Sequence, residues 1–426
     1  MWTRNAGVRD RDRAWCVPQP ETLLGRLPFI ASLALAIALF AYGARDLDRL
    51  ALPSPAVDLL PVWLGGHVIA AGKDPTDATL LEAAYRELHP PVRVAGFLSY
   101  YPPTASVLAQ PLSALPFRTA ASVTRVASVL GLVLSAALVV GATRVRSRAH
   151  ALVAMISLAG LFLATRTARA SVPSGQVSPL VVFFTALALA AAGRGRDRLA
   201  GLALGLGAGI KLFPLVLVPA LAGRPRLLAV SAATILLLVA GVALYVPGFD
   251  PVAWVRRLGW FVDQGVHPVW QRQEPRWVLR LWQARFLALG ILSFAATAAA
   301  WRRRREPEVA VATGAVFAAW GGTVMAGSQH YHEGLMLLPA FGWALVWPAQ
   351  RGPAALSWGV AGVLGTLAWL VGATSPFVGG NSLHWVPLGY AIWVACAIRL
   401  GWTLRAPVAA EPASRAAVSL SSASPL

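Results

Sequence analysis

With 57% hydrophobic and only 13% charged residues, this 426-residue chain carries about half the charge of a typical soluble protein, which excludes a water-soluble globular domain. Its net charge of +19 invites a nucleic-acid reading, but the distribution of the basic residues excludes that too. All but Lys73 and Lys211 are arginines, and they cluster at the ends of apolar segments, at 4–13, 144–148, 194–198 and 302–305, the pattern that retains loops in the cytoplasm.

Apolar segments follow one another near 27–43, 98–117, 121–142, 151–165, 177–193, 199–222, 227–246, 283–301, 309–327, 334–349, 354–374 and 386–400. Leu227 to Val246 runs twenty residues without a charge. As a helix it is long enough to cross a hydrocarbon core of ~30 Å. The expected fold class is an all-α polytopic membrane protein, a helix bundle of about 10–12 spans. A basic cytoplasmic tail at 1–26, a transmembrane domain over 27–401 and a cytoplasmic tail at 402–426 complete the domain plan. The first segment looks like a secretory signal with Ala41-Tyr42-Gly43 as a cleavage-like site. The long tail before it and the spans after it favour an uncleaved anchor. Cys16 and Cys396 lie in the tail and the last apolar segment, so no disulfide framework is expected.

With the N-terminal arginines inside, residues 44–96 form a large extracytoplasmic loop, and counting back from Arg405 places 375–385, 328–333 and 248–281 outside as well. Two arrangements compete between them. Five single crossings from 121 to 246 strand the arginines at 144–148 outside. If 98–142 crosses once in net and 199–222 folds as a hairpin of half-spans, every basic cluster lies inside and Ser171 to Gln176 faces outward. The second is favoured, because Gly, Lys and Pro at 209–214 suit a broken helix lining a cavity.

Loop 44–96 holds seven acids, among them Asp58, a lone carboxylate just past the first apolar segment. A charge beside lipid costs free energy unless it is used, and a carboxylate there can take a proton from a hydroxyl. The bland alternative is an N-cap for the next helix. That helix carries Leu59, Leu60, Trp63, Leu64, Val68 and Ile69 and is expected to lie flat in the headgroup layer. A second short helix is predicted over 77–88, after a Gly-Lys-Asp-Pro turn and capped by Asp77. Asp46-Leu47-Asp48 is a literal Asp-x-Asp, a pattern that can hold a metal, but a polar span terminus is the better reading.

Asp58 with its apolar stretch, Ala71-Gly72-Lys73-Asp74-Pro75, Ser99-Tyr100-Tyr101-Pro102-Pro103 and Pro111 to Phe117 together resemble glycosyltransferase family 87, of the GT-C superfamily. The likeness continues through Ser174-Gly175-Gln176-Val177-Ser178, Gly201 to Gly205 and Ile210-Lys211-Leu212-Phe213-Pro214 to Ser328-Gln329-His330-Tyr331-His332-Glu333, covering roughly 27 to 345. It departs at Thr76, where relatives often carry an aromatic. The resemblance implies a GT-C type bundle in a bacterial plasma membrane with its active site on the extracytoplasmic side. The donor would be a polyprenyl-phosphate-linked sugar and the acceptor a lipid or glycan of the envelope. Asp58 maps onto the family's first-loop acid, the expected general base of an inverting transfer. A lipid-linked donor arrives laterally from the membrane, which fits the lack of any visible nucleotide-binding pattern. No cofactor is expected, and dependence on a divalent metal stays open.

The remaining candidates carry bland alternatives. His330 and His332, two apart, do not share a helical face, which argues against paired metal ligation; His330 is preferred for contact with donor phosphate or acceptor, with Glu333 orienting it. Lys211 inside an apolar stretch is read first as snorkelling to the inner surface and, more sharply, as a phosphate ligand. Gln176 can offer donor and acceptor to a sugar, and Tyr101 shapes the start of the next helix. Loop 248–281 combines arginines with Trp254, Trp260, Trp270 and Trp277, best read as an aromatic belt with some unspecified binder among them. A transporter or flippase of lipid-linked glycans is the competing function. It is disfavoured because polar groups gather in outer loops, not along helices at mid-membrane.

Overall fold

The computed structural model describes residues 56–92, 101–142 and 148–256, with isolated positions within 30–44 and 276–302. His330, His332, Glu333, Asp46, Asp48, both tails and the spans beyond 302 lie outside the described residues. Among the described residues the chain is helical, with no strand. The helices are α1 (Leu60–Ala70), α2 (Ala78–Leu88), α3 (Pro103–Ser113), α4 (Phe117–Ala142), α5 (Arg148–Ala164), α6 (Arg166–Ser171), α7 (Ser178–Gly193), α8 (Asp197–Ile210) and α9 (Pro225–Tyr245). Helices α4 and α9 are long and apolar enough to cross a membrane. Leu236, Leu237 and Leu244 of α9 are 67%, 73% and 84% exposed, an apolar face that a protein in water would bury.

Chain direction follows from which residues meet. A Cβ on Gly201 would meet Val230, one on Gly205 would meet Thr234, and one on Gly209 would meet Leu238, so α8 and α9 run parallel. Their starts are joined by the Arg224–Asp197 ion pair at 2.6 Å. Between them the chain must return, and it does so in 3₁₀ turns at Phe213–Leu217 and Pro219–Leu221, which pack Leu217, Ala220 and Leu221 on Ala188 to Ala192 of α7. The half-span hairpin expected over 199–222 is therefore present as geometry. Likewise α4 and α7 run parallel: Gly131 faces Pro179 and Phe183, while Gly141 accepts a hydrogen bond from Arg194. Helix α5 returns between them, burying Leu158 and Phe162 against Leu132, Ala136 and Val139. One end of the bundle thus collects Arg148, Arg194, Arg196, Arg198, Arg224 and Arg226. The opposite end carries α1 to α3, the 171–178 turn, Lys211 and the close of α9.

Two expectations need correction. Segment 98–117 is not a span: Pro102-Pro103 start a helix that ends at Ser113, before Pro116, leaving 11 residues. Helix α1 does not lie flat on a surface. Its residues Val62, Trp63, Leu64, Gly65, Gly66, Val68 and Ile69 are buried all round. Glycines at 65 and 66 explain how, since a Cβ on Gly66 would come within 2.7 Å of the Ser113 Cβ. α3 therefore sits against α1, and Trp63 Nε1 donates to Leu115 O at 3.1 Å. Helix α2 forms as predicted, its Asp77 cap accepting from Thr79 N at 2.8 Å.

Candidate active site

Three separated segments converge around Asp58. The residue precedes α1, whose N-cap is Leu59 with no side-chain cap bond, so Asp58 is not the helix cap. Its backbone N–H instead donates to Ser174 O at 3.0 Å, and the Ser174 side chain lies beside its carboxylate. The Ser174 hydroxyl also reaches Ser171 O at 3.0 Å. The 171–178 turn can press this closely because Gly175 has φ +70° and no side chain; a Cβ there would lie 2.9 Å from that of Leu59.

The turn is anchored from behind by Arg125 of α4, buried, which donates from Nε and Nη2 to Pro173 O at 3.1 and 3.0 Å. In front, the Tyr101 hydroxyl donates to Gln176 Oε1 at 2.5 Å, and the same oxygen accepts from Val177 N at 3.1 Å. Lys211 enters from the break after α8. Its Nζ donates to Ser178 Oγ at 3.1 Å and stands 5.8 Å from the Tyr101 ring centroid. Burial pushes the Asp58 carboxyl above the usual carboxylate range, while the polar Ser174 side chain and the Lys211 charge pull it partly back.

Of the residues singled out in the sequence, Asp58, Tyr101, Gln176 and Lys211 are thus brought together. The Lys211 ammonium lies at the end that holds Asp58, opposite Arg194 and Arg224, and is held there by Ser178. Arg125, Ser174 and Ser178 were missed as candidates. An arginine inside the apolar 121–142 segment was a legible signal, because such a charge is costly unless bonded. Among the described residues no group of three His, Cys, Asp or Glu side chains is placed to hold a metal.

Two cavities lie away from this centre, and neither is lined by Asp58. One, of about 550 Å³, is bounded by Tyr85, Arg86 and 89–92. The other, of about 450 Å³, lies between 72–80 and 246–254. An acid of raised affinity for protons, a nearby cation and flanking hydroxyl and amide groups form a set suited to moving a proton off an alcohol while an anion departs.

The family model of glycosyltransferase family 87 matches residues 97–325, more than half of the chain. The match includes Tyr101, Gln176 and Lys211 and stops short of Asp58 on one side and His330 on the other. Among curated proteins, none matches the chain.

Proposed function

The chain belongs to glycosyltransferase family 87, and from that premise we propose that it transfers a hexose, mannose being the first choice, from a polyprenyl-phosphate donor to an envelope glycolipid or glycan. In this reading the protein is a multi-pass protein of the bacterial plasma membrane. The active site faces the extracytoplasmic side, a placement supported by the gathering of Arg148, Arg194, Arg196, Arg198, Arg224 and Arg226 at the bundle end away from Asp58. Asp58 acts as general base. Its carboxylate takes the proton of the acceptor hydroxyl as that oxygen attacks the anomeric carbon from the face opposite the phosphate. The bond from that carbon to the phosphate oxygen breaks, its electron pair leaves with the polyprenyl phosphate, and the configuration inverts. Lys211 offsets the charge on the departing phosphate. Tyr101 and Gln176 contact the sugar, while His330, His332 and Glu333 supply further contacts from the loop near 328–333.

The observation that carries the reading is the Asp58–Ser174–Lys211 grouping, drawn from three distant stretches of chain to one end of the bundle. Membranes carrying Asp58→Asn protein should keep the folded enzyme and lose transfer from radiolabelled lipid-linked sugar. Undiminished turnover removes Asp58 from the role of base. Liposomes that move lipid-linked sugar across the bilayer without forming a new glycosidic bond would favour a flippase instead.

A further inference from the structure

At the far end of α1 from Asp58, the cavity between 72–80 and 246–254 has walls from two segments distant in sequence. Lys73, Asp74 and Thr76 come from one, and Phe249, Asp250 and Trp254 from the other. Val246 lines it and packs with Ile69 and Val242, so the cavity sits where α9 ends. Its volume of about 450 Å³ lies in the range of small-molecule sites.

The carboxylates are fixed before anything binds. Asp74 Oδ1 accepts from Thr76 N and Oγ1 at 2.8 and 2.7 Å, and Asp250 Oδ1 accepts from Val252 N and Ala253 N at 2.8 and 3.1 Å. Such preorganisation removes part of the ordering cost of binding. Two carboxylates against one lysine leave the lining with a net negative charge, which repels a phosphate or other anion. Carboxylates accept from hydroxyls, a lysine donates to them, and the apolar faces of Trp254 and Phe249 suit the C–H side of a ring. The ligand chemistry that fits all of these is neutral and hydroxyl-rich.

We infer that this cavity is a subsite for a sugar of the acceptor remote from the hydroxyl that reacts. The inference rests on the hexosyl-transfer reading above. Helix α1, 11 residues long, separates the cavity from Asp58 by about 16 Å of axis, so a glycan spanning both needs several sugar units. The subsite therefore makes the enzyme prefer acceptors already carrying a short glycan.

The test measures binding and not turnover. Full-length protein in nanodiscs, wild type and Asp58→Asn, is titrated by calorimetry with linear mannotetraose and with methyl mannoside, then with the matching glucose and galactose series. Both proteins should bind one tetrasaccharide series more tightly than its monosaccharide, and Trp254→Leu should weaken that binding about tenfold. Asp250→Asn, which keeps a competent helix cap, should weaken it in the same direction. Equal binding of tetrasaccharide by wild type, Trp254→Leu and Asp250→Asn overturns the subsite, as does failure of the wild type to bind any of the three series. Glycan binding that weakens as expected in a protein that never transfers sugar leaves the subsite standing and overturns the transfer reading.

Discussion

Removing one oxygen from Tyr101 tests whether the candidate site acts as a unit. Tyr101→Phe keeps the ring beside Lys211 and deletes the buried hydroxyl that donates to Gln176 Oε1 at 2.5 Å. That oxygen retains the Val177 N–H at 3.1 Å, so it is not left unsatisfied. The loss should then sit near the net worth of one buried neutral bond, about 1 kcal/mol, or roughly fivefold in rate if it falls on the transition state. Gln176→Leu is the harsher change, because it leaves the Tyr101 hydroxyl only its long 3.4 Å contact to Asp58 O and takes the side-chain acceptor from Val177 N–H, at about 1–3 kcal/mol. Once Gln176 is gone, adding Tyr101→Phe removes a donor held only by the long contact to Asp58 O and should cost little more. A double-mutant cycle on kcat/KM for lipid-linked sugar, paired with thermal unfolding of each purified variant, measures the difference. A coupling of about 1 kcal/mol is expected. Strict additivity of the two changes, in both rate and unfolding, refutes the contact and with it the assembly of Tyr101 and the 171–178 turn into one site.

The remaining expectations follow from charge and packing. As a base Asp58 works only when ionised, so transfer should fall as pH drops through its raised pKa; Lys211→Met removes a charge that favours ionisation and should move that acid limb to higher pH, while Lys211→Arg should leave it near wild type. An acid limb that stays in place in Lys211→Met would sink the pairing. Gly201→Ala would thrust a methyl against Leu227 O and within 2.8 Å of Val230 Cβ, and overpacking of this kind costs about 1–3 kcal/mol in thermal unfolding. Gly241→Ala, whose nearest new neighbour is Val107 at 4.0 Å, should instead stabilise α9 by about 0.5–1 kcal/mol. Equal melting temperatures for the two would contradict the close approach of α8 and α9.

What could be read from the sequence and what could not divide along physical lines. Asp58, Tyr101, Gln176 and Lys211 stood out because a polar or charged group in an apolar chain is costly and calls for a partner. Their meeting was invisible, since it depends on how α1, α7 and α8 pack. Helix α1 was misread for a concrete reason. Leu60 to Ala70 carries a single titratable residue, His67, so its apolar residues surround the axis; that pattern belongs to a buried helix, not an interfacial one. The prolines at 102, 103 and 116 likewise announced that 98–117 is cut short. Arg125 was passed over although it is an arginine in the middle of a span-length segment.

The break after α8 explains two charges at once. Had the helix continued past Ile210, the thirteen residues from Lys211 would have carried Arg224 about 20 Å beyond it, away from Asp197 and past the site end. Instead Lys211 is extended, at φ −155° and ψ 129°, and Pro214 helps to turn the chain back in 3₁₀ form. Arg224 thereby returns to Asp197 at the basic end while Lys211 stays beside Ser178. The buried helix end finds partners, since Gly209 O accepts from Thr104 Oγ1 at 2.6 Å and Gly207 O from Lys211 N at 3.0 Å. A helix C-terminus carries partial negative charge and favours a cation held there. The break therefore does for Lys211 what a through-running helix could not: it stops an ammonium at the level of a half-buried carboxylate and leaves Arg224 at the other end.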